Sequence, residues 1–349
     1  MADDSGEKER LRRNLEQILP ILQAEEAVFS LNAKKALIAT DIHGNSDILD
    51  FILALGLEKK ADAWIFLGDH IDKGPDSVGV LNRLFDLKIQ SPKNVVLLRG
   101  NHETKDVNYL SEFKSSILEE PDLFELANDA FKELPVAVVL NEKVFCVHGG
   151  LSESPLLEIS KSAEDSFSYL WSDPADVKGW SASPRGIRVK RFGPDVVQSF
   201  LQKNNFQLVI RGHTTLECGV KFWFDKTLVS LYSALPCAGP DIRAAVCLAS
   251  PESVEFFFYR KDKKKNDNGF VWEYKTSRLA LHPILKEKTA EQSGSENVMP
   301  AAPECKKRGK IRQKTDMEKW KRLTKKESAE RKQKLRKNSK TTDSIQNTK

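Results

Sequence analysis

Residues 36–74 read ALIATDIHGNSDILDFILALGLEKKADAWIFLGDHIDKG, and this stretch decides the predicted fold. Two short apolar runs, at 36–39 and 63–67, flank a segment at 46–55 whose apolar residues recur at helical spacing. Each run leads into a polar loop, DIHGN at 41–45 and GDHIDKG at 68–74. This order predicts two parallel strands joined by a helical crossover.

The same pattern continues downstream and completes a β-α-β-α-β order. A helix-like segment at 77–87 precedes a third apolar run at 94–98, which leads into GNHE at 100–103. In open α/β sheets, ligands bind outside the carboxyl ends of the parallel strands. We therefore expect the side chains of these three loops to meet at one edge of a sheet.

Two more strand-like runs end in the same manner. A hairpin pattern at 136–140 and 144–147 leads into HGG at 148–150. Another run at 206–210 leads into RGH at 211–213. Four of the six histidines in the chain, and a fifth inside the second loop, lie at these strand ends: His43, His102, His148, His213 and His70. Each motif alone is an ordinary turn or helix cap, but five together indicate a metal site.

The residue types fit two divalent cations that share one bridging carboxylate. Such ions lie about 3.5–4 Å apart and need a mixed oxygen and nitrogen shell with positions left for water and substrate. We predict that Asp69 is the bridge. One ion would be held by Asp41, His43 and Asp69, and the other by Asp69, Asn101, His148 and His213. Imidazole with carboxylate favours manganese, iron or zinc over magnesium or calcium; of these we expect manganese, with iron or zinc as alternatives.

A pair of cations of this kind suits hydrolysis of a phosphoester. A water between the ions is acidified enough to attack phosphorus, and no covalent intermediate is required. The leaving oxygen of an alkyl phosphate then needs a proton. His102, next to Asn101, is the predicted acid, and Asp72 is predicted to bind its other ring nitrogen and favour the imidazolium.

Composition and charge divide the chain into a body and a tail. The 349 residues are 40% hydrophobic and 30% charged, which is enough to bury a large core. The net charge of +5 conceals a basic segment at 306–349 with 18 Lys and Arg against 5 acidic residues. The predicted organisation is a helical segment at 1–33 broken at Pro20, a catalytic domain at 34–260, a docked extension at 261–285 and a basic low-order tail at 286–349.

Cysteine usage and hydropathy predict the compartment. The five cysteines are widely spaced and form no CxxC pair, which suits free thiols in a reducing environment: Cys146, Cys218, Cys237, Cys247 and Cys305. Neither a secretory leader nor a transmembrane segment is indicated. We expect a cytoplasmic protein. Its basic tail is a candidate nuclear address or a contact for acidic partners, anionic lipid or nucleic acid, or else a solvated extension.

The motifs, taken in order, resemble those of the phosphoprotein phosphatases, a family with the fold of the calcineurin-like metallophosphoesterases. The markers are DIHG, GDHIDKG, LLRGNHE, HGGLS, LWSDP at 170–174, SPRG at 183–186 and RGH, and they span about residues 35–260. The resemblance implies an α/β fold, a β-sandwich of mixed sheets flanked by helices. It also implies a serine/threonine-protein phosphatase acting on phosphoproteins, with regulatory subunits as further partners. Phosphate-binding roles fall on Lys73, Asn101 and Arg185.

Three departures from the family pattern affect these expectations. Lys73 replaces an arginine and offers a point charge in place of a planar fork, so phosphate would be oriented less tightly. The segment at 233–237 lacks the tyrosine that overhangs the site in relatives, so altered substrate contacts and weak toxin binding are expected. Thr40 replaces a glycine at a strand end, where we expect little harm.

Two other functions compete with a protein phosphatase. KGP at 73–75 also resembles diadenosine tetraphosphatases, which makes nucleotides or polyphosphate the main alternative substrates. A scaffold with a degenerate site, acting through its basic tail, is the other. The full set of predicted ligands argues against the scaffold.

Overall fold

The computed structural model describes residues 4–235, 243–266, 269–281 and 308–311. Its α-helices are α1 Asp4–Gln23, α2 Ser46–Lys59, α3 Ser77–Gln90, α4 Lys105–Asn108, α5 Glu112–Ser116, α6 Pro121–Lys132, α7 Ala163–Trp171 and α8 Pro194–Asn204. Its strands are β1 Val28–Leu31, β2 Ala36–Ala39, β3 Ala63–Phe66, β4 Val95–Leu97, β5 Ala137–Leu140, β6 Val144–Val147, β7 Asp173–Pro174, β8 Trp180–Ser183, β9 Gly186–Phe192, β10 Leu208–Arg211, β11 Val220–Trp223, β12 Leu228–Leu231, β13 Ala244–Ala249, β14 Ser253–Asn266, β15 Gly269–Ala280 and β16 Arg308–Ile311.

The strands form two large mixed sheets and one small sheet. The seven-stranded sheet has the order β16-β15-β14-β13-β2-β3-β4, in which β2, β3 and β4 are parallel and the rest are antiparallel. The six-stranded sheet has the order β1-β5-β6-β10-β12-β11, and β6, β10 and β12 are parallel. A three-stranded sheet has the order β7-β9-β8. The predicted β-α-β-α-β order and the mixed sheets are confirmed.

The two large sheets pack face to face around an apolar layer. Ile38, Ile65 and Val96 of one sheet share this buried layer with Cys146 and Ile210 of the other. Helices α1, α2, α3 and α6 cover the outer face of the seven-stranded sheet, and α8 packs on the outer face of the other. The predicted β-sandwich flanked by helices is therefore confirmed.

Local sequence explains where the crossover helices begin. The side chain of Asn45 accepts a hydrogen bond from the Ile48 backbone N–H at 3.2 Å, and Asp76 accepts one from Gly79 at 2.8 Å. Such caps satisfy amide groups that have no partner inside the helix. Asn45 is the last residue of the first predicted site loop, and Asp76 lies two residues after the second. The caps consequently fix where those loops end.

The N-terminal segment differs from its prediction in two respects. Helix α1 continues through Pro20 to Gln23, and strand β1, which was not predicted, pairs with β5. A proline removes one helical hydrogen bond, but α1 buries an apolar stripe against α3 and α6 that offsets this loss: Leu11, Leu15, Ile18 and Leu22. Helix propensity at one residue is outweighed by packing along the whole face.

The C-terminal part of the body also differs from the predicted boundary at residue 260. Strand β14 runs across that point to Asn266, and β15 returns antiparallel to it. Backbone pairing between the two strands satisfies their amide groups whatever the side-chain charge, so the charged run does not end the strand. Tyr274 of β15 is buried, and its hydroxyl accepts from the Lys59 ammonium at 2.8 Å.

Most of the predicted basic tail at 286–349 lies outside the described residues. Its described part, Arg308–Ile311, pairs with β15 as strand β16. An edge strand with unpaired backbone groups accepts such a segment readily. Among the residues described here, no helix is long and apolar enough to cross a membrane.

Candidate metal centre

Five loops that follow parallel strands converge at one edge of the sandwich. They follow β2, β3, β4, β6 and β10 and carry Asp41, His43, Asp69, Asn101, His148 and His213. All six side chains are buried, with at most 8% exposed. Asp41, His43, Asp69 and His213 have positive φ angles of 29°, 49°, 54° and 67°. Left-handed backbone at non-glycine residues is strained and concentrates at functional sites, so these loops are turned sharply to aim their side chains inwards.

One half of the site gathers four predicted ligands. His148 Nε2 lies 3.3 Å from Asp69 Oδ1 and 3.0 Å from Asn101 Oδ1. His213 Nδ1 lies 2.8 Å from the same Asn101 oxygen and 3.2 Å from His148 Nε2. Asp69, His148 and His213 form a cluster of a size that could hold a metal ion.

The other half lies across Asp69. His43 Nε2 is 3.6 Å from Asp69 Oδ2 and 3.8 Å from Asp41 Oδ1. The second Asp41 oxygen accepts from the His213 backbone N–H at 3.0 Å. Asp69 thus faces one half with Oδ1 and the other with Oδ2, as a bridging carboxylate would.

The protonation pattern fits bound cations. His148 Nδ1 donates to the Leu67 carbonyl at 2.8 Å and His43 Nδ1 to the Ile71 carbonyl at 2.9 Å. In a neutral His148 ring, Nε2 would then carry a lone pair directed at the Asn101 and Asp69 oxygens, whereas His43 Nε2 faces the Lys73 ammonium at 2.8 Å. Lone pairs that face one another repel, and a cation among them removes that repulsion. This donor set of imidazole, carboxylate and amide oxygen suits a borderline divalent ion.

The net pKa shifts of His43, His213 and Asp69 favour the forms that bind metal, which are neutral imidazole and ionised carboxylate. Burial lowers the pKa of His43 and lowers that of His213 well below its ordinary value. Burial raises the pKa of Asp69, but the surrounding histidines outweigh it and hold that pKa far below its ordinary value. Neutral imidazoles around an ionised carboxylate are the forms that bind metal.

His102 and Asp72 form the pair that the sequence predicts. His102 Nδ1 lies 2.7 Å from Asp72 Oδ2, and the Phe113 backbone N–H donates to Asp72 Oδ1 at 3.0 Å. Burial lowers the pKa of His102, but Asp69 and Asp72 outweigh it and the net shift is upward. His102 Nε2 is 3.9 Å from Asp69 Oδ2, close enough for a ligand cluster with His43 and Asp69. Because an imidazolium has no lone pair, a charged His102 could donate a proton but could not bind a metal ion.

Arg185 is held by an acidic residue that the sequence reasoning did not assign. Asp173 Oδ2 accepts from Arg185 Nε at 2.5 Å, while Asp173 Oδ1 accepts from Arg211 Nη2 at 2.8 Å. Arg211 is fully buried. The charge of Arg185 contributes to the lowered pKa of His213, which places this guanidinium within electrostatic range of the ligands. Asp173 lies in the LWSDP motif and Arg211 in the RGH motif. Because a buried arginine needs an acidic partner, the arginine of RGH is the sequence signal that would have indicated this pair.

Glu103 is a second residue without a predicted role. Its carboxylate accepts from the backbone N–H groups of Asp69 and His70 at 2.8 Å and of Gly100 at 2.9 Å. This fully buried acid therefore ties the loop after β4 to the loop after β3. A glutamate directly after a predicted ligand and acid, in GNHE, is the available sequence signal.

Lys73 and Thr40, two departures from the family pattern, have defined positions. Lys73 is an exposed residue, and its ammonium lies 2.8 Å from Nε2 of the predicted ligand His43. Thr40 is buried, and its N–H donates to Ser233 Oγ at 2.9 Å. Of the segment at 233–237, residues 236 and 237 lie outside the described residues.

Comparison with known proteins assigns the family. A family model described as calcineurin-like phosphoesterase matches residues 34–216, more than half of the chain. The chain therefore belongs to the calcineurin-like phosphoesterase family, which confirms the metallophosphoesterase resemblance noted in its motifs.

Solved structures with a related fold include a serine/threonine phosphatase. This protein, from Saccharomyces cerevisiae and described as similar to human phosphatase PP5, is 25% identical with a TM-score of 0.63; the match covers 70% of this chain and 83% of that one. A candidate diadenosine tetraphosphatase is 16% identical over 64% and 93% of the two chains, with a TM-score of 0.39. A metallophosphoesterase from Sphaerobacter thermophilus is 15% identical over 63% and 84%, with a TM-score of 0.37.

Proposed function

We propose that this phosphoesterase is a serine/threonine-protein phosphatase with two metal ions and His102 as general acid. The observation that carries the proposal is the His102–Asp72 pair, 2.7 Å apart, beside the shared carboxylate Asp69. A phosphoserine or phosphothreonine has an alkoxide leaving group, which must be protonated for rapid hydrolysis. An imidazolium held by a buried carboxylate supplies that proton.

The ligand set supports a dinuclear centre, for which we propose manganese. When bound, the two cations would acidify a water nucleophile and neutralise charge on the phosphoryl oxygens. Asp69 faces both halves of the site, and Asn101 lies with His148 and His213 in one of them. Asp72 keeps His102 charged and aims its Nε2 towards Asp69. The chain itself thus contributes the ligand geometry and the proton.

Phosphate orientation falls to Arg185, Lys73 and Asn101. Asp173 holds the Arg185 guanidinium through Nε, which leaves its two terminal nitrogens for phosphate oxygens. Lys73 approaches from the side of His43. A guanidinium and an ammonium on different sides of the ligands would clamp a phosphoryl group between them.

Protein substrates are supported by the similarity to the yeast serine/threonine phosphatase and by Arg185 and Asp173, which lie in the SPRG and LWSDP segments. One observation favours a second candidate, hydrolysis of diadenosine tetraphosphate or polyphosphate. Lys73, followed by Gly74-Pro75, reaches the ligands with a compact ammonium that tolerates a looser phosphate orientation.

A substrate panel tests the proposal. The purified full chain is stripped with chelator, reloaded with Mn²⁺, and assayed on phosphoserine and phosphothreonine peptides, diadenosine tetraphosphate and tripolyphosphate. We expect kcat/KM to be at least about tenfold higher for the phosphopeptides. Turnover of only the two polyphosphate substrates would establish the second candidate, and a metal-loaded chain that hydrolyses none of the panel would overturn both.

A further inference from the structure

A cavity of about 270 Å³ lies on the far side of the loop that carries Asn101 and His102. Its lining includes four basic and two aromatic side chains: Arg99, Lys105, Lys132, Arg188, Phe167 and Trp171. Nothing in the ligand arrangement or in the proposed proton transfer uses this cavity. We refer to it as the basic pocket.

The basic pocket borders the metal centre. The Trp171 ring that lines it also meets the ring of the ligand His213 edge to face, with centroids 5.6 Å apart. Arg188 lies in β9, three residues after Arg185. A substrate peptide whose phosphate lies at the metal centre can therefore extend past the Trp171 ring into this pocket.

The charge of the pocket is unbalanced. Four cationic side chains line it against two acidic ones, Glu103 and Asp106. The Glu103 carboxylate is already bound to backbone N–H groups of the site loops. Lys105 and Lys132 pair with Glu125 and Asp129, but these pairs are solvent-exposed and worth little in water. Both ammonium groups remain available to an anion.

The two arginines make the strongest case for an anion. Arg99 is 3% exposed, its Nη2 donates to the Lys161 carbonyl at 2.6 Å, and its Nε has no partner among the described residues. The Arg188 guanidinium lies 4.5 Å from the centre of the Phe167 ring and has no carboxylate partner within the described residues. A buried cation that is not fully compensated favours an incoming negative charge.

We propose that the basic pocket binds an anionic side chain of the phosphopeptide substrate, a carboxylate or a second phosphate close to the scissile one. The inference rests on the proposed protein phosphatase function and names its substrate class, acidic phosphopeptides. The volume is below the range of about 300–1,000 Å³ that whole small-molecule ligands occupy. It therefore fits one side chain better than a dinucleotide.

Arg188→Ala tests the pocket and leaves the predicted ligands unchanged. It also leaves Arg99 unchanged, which lies in the same loop as the predicted ligand Asn101. The substrates are a phosphoserine peptide flanked by glutamates, the same peptide with glutamines, a doubly phosphorylated peptide and p-nitrophenyl phosphate. The wild type should favour the glutamate peptide over the glutamine peptide about tenfold in kcat/KM, less at high salt. Arg188→Ala should remove most of that preference and change p-nitrophenyl phosphate turnover less than about twofold. Lys132→Ala should remove part of it.

Lys203→Ala is the matched control, because Lys203 is an exposed lysine beside a different cavity on α8. It should leave the preference unchanged. The glutamate and doubly phosphorylated peptides show whether a carboxylate or a phosphate is preferred, and a preference for either supports the pocket.

Binding of fluorescently labelled peptides separates this inference from the proposed function. If no peptide is hydrolysed, the proposed function fails, while the pocket still predicts tighter binding of the glutamate peptide by the wild type than by Arg188→Ala. Equal binding of the glutamate, glutamine and doubly phosphorylated peptides would overturn the pocket. So would an Arg188→Ala effect that is equally large for p-nitrophenyl phosphate.

Discussion

The ligand loops and the rim around them are built in different ways. The ligands are buried, and hydrogen bonds to backbone groups fix His43, His148 and Asp41. Lys73, Arg185 and Arg188 on the rim are exposed, and Arg185 is held by the single carboxylate of Asp173. The difference leads to the hypothesis that the buried centre sets the chemistry, whereas substrate choice depends on a few exposed cations. Changes in the centre should be severe and uniform, and changes on the rim should be milder and substrate-dependent.

The largest effect is expected from Asp69→Asn, which removes the carboxylate that both halves of the centre share. Activity should fall by about a thousandfold or more on every substrate, because the metal centre supplies most of the catalysis. Metal analysis and kcat/KM on phosphopeptide and p-nitrophenyl phosphate check it. Asp129→Asn, an exposed acid, is the control. Retention of both metal and activity in Asp69→Asn would contradict the claim that both halves of the centre depend on the Asp69 carboxylate.

His102→Asn should have the next largest effect and should depend on the leaving group. Turnover of alkyl phosphoesters should fall by about 10²–10⁴-fold, the usual contribution of general acid catalysis, while p-nitrophenyl phosphate should lose far less. The good leaving group of that substrate needs little protonation. Metal content should stay normal. An equal loss on both substrates would contradict the assignment of His102 as the acid.

On the rim, Arg185→Ala should raise KM for phosphopeptides about tenfold to a hundredfold with the metal content unchanged. The guanidinium would bind phosphate through two hydrogen bonds, and its removal leaves the ligands intact. Asp173→Asn should produce a smaller rise, because Arg185 is then less well oriented. A KM unaffected by Arg185→Ala would show that phosphate is bound elsewhere.

The smallest effect is expected from Lys73→Arg. A planar fork in place of an ammonium should improve phosphate orientation and raise kcat/KM for phosphopeptides severalfold, whereas Lys73→Ala should lower it. Side-by-side kinetics on phosphopeptide and tripolyphosphate check the direction for each substrate. A loss of phosphopeptide activity in Lys73→Arg would indicate that the site is adapted to lysine.

The centre could be predicted from sequence because its ligands follow strands with clear apolar patterns. Asp41, Asp69 and Asn101 are reached within a few residues of β2, β3 and β4, and parallel strands bring their ends to one edge. The rim could not be predicted in this way. Asp173 meets Arg211 across 38 positions of sequence, and Trp171 at the end of α7 meets His213, which follows β10. Strand β1 and the full length of α1 were not predicted, because tertiary packing outweighed the local sequence signals.

The most direct test of the account is the metal stoichiometry of the purified chain, measured after Mn²⁺ loading and exhaustive dialysis. Wild-type protein should retain about two ions per chain. Asp69→Asn should lose them, and His102→Asn should keep them. Such a result would establish the shared carboxylate and separate the acid from the ligands. A wild-type chain that binds one ion, or an Asp69→Asn chain that still binds two, would contradict the dinuclear centre on which the account rests.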